Sequence, residues 1–160
     1  MHILRYYKDL DAYLDPGKVL VLYGPRQVGK TTLVQGFLRG FAHGKHRFDT
    51  GDNSKTQALF ASRDLDTILA YAEGYDLLVL DEAQRIPHVG IGLKMLVDHR
   101  PDLRIIATGS SSFALAGQVG EPLIGRKRTL TLFPIAQIEL RQQHTPHELR
   151  EQLEASLIFG

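Results

Sequence analysis

Glycines at positions 24 and 29 bracket four residues, and Lys30, Thr31 and Thr32 follow at once. The run Gly24-Pro25-Arg26-Gln27-Val28-Gly29-Lys30-Thr31 fits the pattern G-x-x-x-x-G-K-[ST] at every position. The chemistry it suits is holding a phosphate. Gly24 ends an apolar run where the backbone must turn sharply, and Gly29 offers no side chain to keep a phosphate off the main chain. The N–H groups from Val28 to Thr32 are expected to converge on phosphates at the positive end of a following helix. Lys30 would then reach the β- and γ-phosphates, and the Thr31 hydroxyl would bind Mg²⁺. Pro25 lacks an N–H, but it precedes the expected donors and stiffens the loop without removing one. Arg26 and Gln27 complete the loop, and Arg26 reads best as a solvated loop arginine.

A second set of chemical groups follows the apolar run Leu77-Leu-Val-Leu80, which ends in Asp81-Glu82. At the carboxyl end of a buried parallel strand, ligands collect. Asp81 is expected to face the phosphate pocket from the adjoining strand and to hold Mg²⁺, usually through water. Glu82 would point to the other side of the pleat and orient an attacking water. Taken alone, two acids there would be a solvated strand end; the phosphate loop upstream favours the metal-and-base reading. A third cluster is Thr108-Gly-Ser-Ser-Ser112. Ser110 and Ser111, with Thr108 behind, could hold the water or sense the γ-phosphate, or the serines could cap a helix. Arg126 follows Gly125 before "KRTLTLF". It is either an arginine finger for a neighbouring subunit, an effect worth about 10³–10⁵ in rate, or part of a solvated basic turn.

These groups need a scaffold, and the chain supplies strand-like runs alternating with helical patterns. "KVLVLY", "KHRFDT", "YDLLVLDE", "LRIIATG" and "KRTLTLF" read as strands. Between them, Leu33 with Phe37 and Val34 with Leu38 mark a helix stopped by Gly40. Ser54 would cap a short helix through Phe60. Leu65, Ile68, Leu69 and Ala72 form a stripe closed by Gly74. Leu93, Leu96 and Val97 mark a helix stopped by Pro101. A short helical piece is expected after Pro134. A last helix would start at the capping box Thr145-Pro-His-Glu148 and carry Leu149, Leu153 and Leu157. Such alternation implies a parallel sheet covered on both faces. The extra strand "KHRFDT" between the loop strand and the Asp81 strand fits additional-strand ATPases better than kinases or GTPases. No Asn-Lys-x-Asp stretch reads guanine, which leans toward ATP.

The 160 residues suffice for one compact domain. Lys+Arg total 19 and Asp+Glu 18, so no strong field recruits nucleic acid or anionic membrane. No apolar run is long enough to span a bilayer. The start lacks the pattern of a secretory signal, which favours the cytoplasm. With no cysteine, disulfides and thiolate metal sites are excluded. Arg5, Tyr6 and Tyr7 read as part of an amphipathic N-terminal helix rather than a base pocket. The apolar tail "ASLIFG" reads equally as a cut before a following domain or as a segment docked on its own sheet.

"GPRQVGKTTL", "LDEAQRIP", "ATGSSS" and "EPLIGRKRTLTLFPI", in this order, resemble a family of bacterial and archaeal AAA-type ATP-binding proteins. The resemblance covers nearly the whole chain. It implies a P-loop NTPase fold with a sheet of order 5-1-4-3-2 and ATP at the strands' carboxyl ends. It also implies Lys30 and Thr31 on phosphate and Mg²⁺, Asp81 assisting the metal, Glu82 as base and Ser110 near the sensor position. Family members carry a C-terminal domain after the ATPase domain, so residues 1–160 are expected to be one ATPase core of a longer protein. Hydrolysis by this portion is expected to be slow unless a partner or self-association supplies an arginine. The rival readings are a nucleotide switch without significant hydrolysis, a nucleic-acid-interaction module using Arg126–Arg128, and a small-molecule kinase.

Overall fold

The computed structural model describes residues 9–110 and 121–133. Its strands are β1 (Val19–Tyr23), β2 (His46–Thr50), β3 (Leu77–Asp81), β4 (Arg104–Gly109) and β5 (Lys127–Thr131). Its α-helices are α1 (Lys30–Gly40), α2 (Ser54–Ala61), α3 (Leu65–Tyr71) and α4 (Val89–His99). The sheet runs β2-β3-β4-β1-β5, and each neighbouring pair is parallel. This is the expected 5-1-4-3-2 order of an α/β P-loop NTPase.

The unbroken apolar runs follow from burial on both sheet faces. Val19, Val21, Leu78, Leu80, Ile105 and Ala107 pack with Phe60, Ile68, Leu93 and Leu96 from α2, α3 and α4. The alternate residues Leu20, Leu22, Leu77, Val79 and Ile106 pack with Val34 and Leu38 of α1. Period-2 alternation thus serves two apolar layers, so the inner strands β1, β3 and β4 show no polar face. Truncating a core leucine such as Leu80 to alanine would cost about 2–5 kcal/mol.

Register aligns the strand ends that matter. Tyr23 pairs with Gly109 and Thr131, Thr50 pairs with Asp81, and Leu80 pairs with Ala107. All of these lie at the carboxyl edge.

Helix caps differ from expectation in two places. Asn53, not Ser54, caps α2, its Oδ1 accepting the Lys55 N–H at 2.9 Å. Its longer acceptor reaches the first turn from one residue earlier. α1 does stop at Gly40, but the chain leaves in extended conformation at Phe41, so no left-handed glycine cap forms. Gly74 does adopt a left-handed φ of 78° after α3. The expected N-terminal helix with Arg5, Tyr6 and Tyr7 lies outside the described residues, as do Ser111 and Ser112. So do the helical piece after Pro134 and the helix from Thr145 through Leu157. Among the described residues, no helix is long and apolar enough to cross a membrane.

Candidate functional site

The loop between β1 and α1 is shaped by its glycines. At Gly24 an added Cβ would lie 2.3 Å from the Leu132 carbonyl oxygen, just past β5. Close backbone approach, more than the turn itself, requires glycine there. Gln27 and Gly29 take left-handed φ values of 65° and 88°. Pro25, Arg26 and Gln27 are exposed, while Val28 tucks inward and is buried. Arg26 thus sits in the solvated position its sequence suggested. The helix begins at Lys30, and Leu33 N–H closes the first turn on Gly29 at 2.9 Å. The N–H groups of Lys30, Thr31 and Thr32 therefore have no intrahelical acceptor, as at any helix start.

Lys30 is 4% exposed, and its Nζ donates to the carbonyls of Gly24 and Pro25, both at 2.8 Å. A buried ammonium needs such acceptors. The lysine is therefore folded under its own loop.

Asp81, 6% exposed at the end of β3, joins this loop to the rest of the sheet. Its Oδ2 accepts the Thr31 hydroxyl at 2.8 Å. Its Oδ1 accepts the hydroxyl of Thr108. The expectation that Asp81 lies on the strand adjoining β1 is corrected: β4 intervenes. A carboxylate reaches across because Thr108, fully buried on β4, fills the gap. Thr108 Oγ1 also accepts the Glu82 N–H at 3.1 Å.

Two further predicted residues stand at this edge. Glu82 lies one residue past the end of β3. It leaves β3 in the left-handed region, φ 51° and ψ 42°, so strand alternation no longer governs its direction. Its carboxylate accepts the Gln84 side-chain N–H. Ser110 is half-buried one residue past β4, and Thr108, two residues earlier, is the β4 residue whose hydroxyl bonds Asp81. Thr108 stood in the sequence only as the residue behind the serines. The register that pairs Leu80 with Ala107 sets the next residues, Asp81 and Thr108, side by side.

Arg126 does not join this cluster. It precedes β5 at the amino edge, where its carbonyl accepts Val19 N–H at 2.8 Å, and its Nε donates to Asp98 at 2.6 Å. Arg128 is similarly engaged, 3.4 Å from Asp15 and with its guanidinium 4.9 Å from the Tyr13 ring centre. Arg126 is thus an ion-paired residue at the sheet end opposite the loop, and its own chain's site does not receive it.

Thr31 and Asp81 provide two hard oxygen donors 2.8 Å apart. Among the described residues no cluster of three or more His, Cys, Asp or Glu forms a metal cage. This donor set fits Mg²⁺, which is held by few protein oxygens and completes its shell with water and phosphate.

A family profile described as "AAA domain" matches residues 16–141. Uncharacterized proteins of Mycobacterium bovis and Mycobacterium tuberculosis are each 39% identical over 116 residues, 71% of this chain and 24% of theirs. The chain thus spans about a quarter of the length of the curated relatives it matches. Among solved structures, AMPPCP-bound DnaA from Aquifex aeolicus shares the fold with a TM-score of 0.52 at 20% identity, over 77% of this chain and 42% of that one.

Proposed function

Because this chain belongs to the AAA domain family, whose profile matches residues 16–141, we propose that it binds Mg·ATP at the Gly24–Thr32 loop and hydrolyses it slowly. The observation that carries this is one juxtaposition. Thr31 Oγ1 lies 2.8 Å from Asp81 Oδ2, at the foot of a loop that buries Lys30 beneath it.

On this reading, phosphate oxygens replace the Gly24 and Pro25 carbonyls as partners of Lys30. The first-turn N–H groups of Lys30, Thr31 and Thr32 take further phosphate oxygens. Thr31 and Asp81 would hold Mg²⁺, which when bound offsets negative charge on the phosphates. Thr108 keeps the Asp81 carboxylate turned toward Thr31. Glu82 orients the water. The water oxygen bonds to the γ-phosphorus as the bond to the bridging oxygen breaks, and a water proton passes to Glu82, leaving ADP and phosphate. Arg126 would enter this scheme only as a finger for a neighbouring subunit's site. The adenine choice, a cytoplasmic location and the role of this unit as one ATPase core of a longer protein belong to the same proposal.

The test joins binding to turnover. Lys30→Ala should abolish binding of a fluorescent ATP analogue. Glu82→Gln should bind it normally yet release no phosphate in a single-turnover assay. Wild-type release by Glu82→Gln would overturn the base assignment, and analogue binding by Lys30→Ala would overturn the loop assignment. GTP in place of ATP should bind more weakly.

A further inference from the structure

Glu82 is held firmly at its backbone. Its left-handed φ of 51° is uncommon for a residue with a side chain. Main-chain contacts fix it on either side. Its N–H donates to Thr108 Oγ1 at 3.1 Å, and its carbonyl accepts Arg85 N–H at 3.0 Å. Gly51 packs so closely against that carbonyl that an added Cβ would sit 2.2 Å from the oxygen. What stays adjustable is rotation about the side-chain bonds.

Gln84 acts at that remaining freedom. It lies in the single 3-10 turn Ala83–Arg85 that follows Glu82, and its Nε2 donates to Glu82 Oε2. The amide's orientation follows from chemistry, because the reverse would set an amide oxygen against a carboxylate oxygen. At the other end, Oε1 of Gln84 is buried and has no donor among the described residues. A buried unpaired amide oxygen destabilises a fold. A glutamine that tolerates this while holding a carboxylate is placed for something other than stability.

Resting on the hydrolytic reading above, we propose that Gln84 is a positioning residue for Glu82. It ties down one carboxylate oxygen, Oε2, and leaves Oε1 of Glu82 as the acceptor for the attacking water. The contacts that the Thr108 hydroxyl, the Arg85 N–H and Gly51 make with the Glu82 backbone set where the carboxylate stands, and Gln84 sets how it is turned.

The decisive variant is Gln84→Met, which keeps length and removes the N–H. It should release phosphate about tenfold more slowly in single turnover, with fluorescent ATP-analogue affinity unchanged, as expected for a group that acts on the chemical step. Gln84→Glu, which sets two carboxylates together, should be slower still. A second readout needs no catalysis: Glu82→Ala should shift the Gln84 side-chain NH₂ pair in a nitrogen–proton correlation spectrum. Gln84→Met at the wild-type rate, an equal loss of affinity and rate, or an unmoved NH₂ pair each overturns the assignment. A wild-type chain that binds the analogue but releases no phosphate overturns the hydrolytic reading itself and this role with it. An active wild type beside an equally active Gln84→Met overturns Gln84 alone.

Discussion

The hydroxyl of Thr31 sits 2.8 Å from Oδ2 of Asp81, although 50 residues separate them in sequence. One lies in the first turn of the helix after β1, the other ends β3, and a whole strand lies between those two strands. The contact therefore reports the entire parallel arrangement and not a local turn. It also brings together the two oxygens that suit a magnesium ion.

If these two oxygens serve a divalent ion, nucleotide affinity should depend on magnesium in wild type and lose that dependence in Asp81→Asn. An amide keeps the size and an acceptor oxygen but gives up the charge that a hard cation seeks. Titrating a fluorescent ATP analogue with magnesium and then with chelator checks this. Wild type should bind at least about tenfold more tightly with magnesium, about 1.4 kcal/mol, and Asp81→Asn should show little difference. An Asp81→Asn curve that keeps the full magnesium effect would remove Asp81 from the metal assignment.

Thr108 should matter for both stability and turnover. Its one oxygen donates to Asp81 and accepts from the Glu82 N–H, and it is fully buried. Thr108→Val keeps the shape and strands both partners, at a cost of about 1–3 kcal/mol. Thr108→Ser restores the hydroxyl and should recover most of it. Urea unfolding gives the stability, and single-turnover phosphate release gives the chemistry. A Thr108→Val protein as stable and active as wild type would show the hydroxyl to be incidental.

What could be read beforehand divides along physical lines. The phosphate loop was legible because its residues are contiguous, and the strands were legible because burial on both faces leaves continuous apolar runs such as Leu77–Leu80. Thr108 was harder. Its importance comes from the register of β3 against β4, and no local pattern encodes which residue of one strand meets which of another. Glu82 was placed by extrapolating the β3 pleat one residue too far, past the point where Gly51 and Thr108 hold it left-handed. Arg126 read as either a finger for a neighbouring subunit or a solvated basic turn because its partner, Asp98, lies 28 residues away on α4. The Asn53 cap shows the limit for near neighbours: two adjacent capping residue types compete, and the geometry of the turn selects between them.

The edge strand β2 carries a further charged cluster that yields a pH prediction. Tyr71 is 7% exposed, its hydroxyl donates to Asp49 at 2.6 Å, and Arg47 donates to the same carboxylate oxygen at 2.7 Å. The Arg47 guanidinium also lies 4.0 Å from the Tyr71 ring centre. Burial first, and then the neighbouring Asp49 carboxylate, raise the Tyr71 phenol well above its ordinary value of 10.0. The folded state therefore keeps a proton that the unfolded state gives up. A group raised in this way contributes stability that is fully present below the ordinary tyrosine value and fades as pH climbs beyond it. Tyr71→Phe has no phenol to ionise. It should be less stable than wild type at neutral pH by about 0.5–1.5 kcal/mol, the worth of the lost hydrogen bond. The gap should then close as pH passes about 10, because only wild type loses this contribution. Thermal melts of both proteins by circular dichroism from about pH 8 to about pH 11 follow the difference directly. A gap that stays constant across that range would mean that the phenol ionises as readily folded as unfolded, and that Asp49 and burial do not govern it.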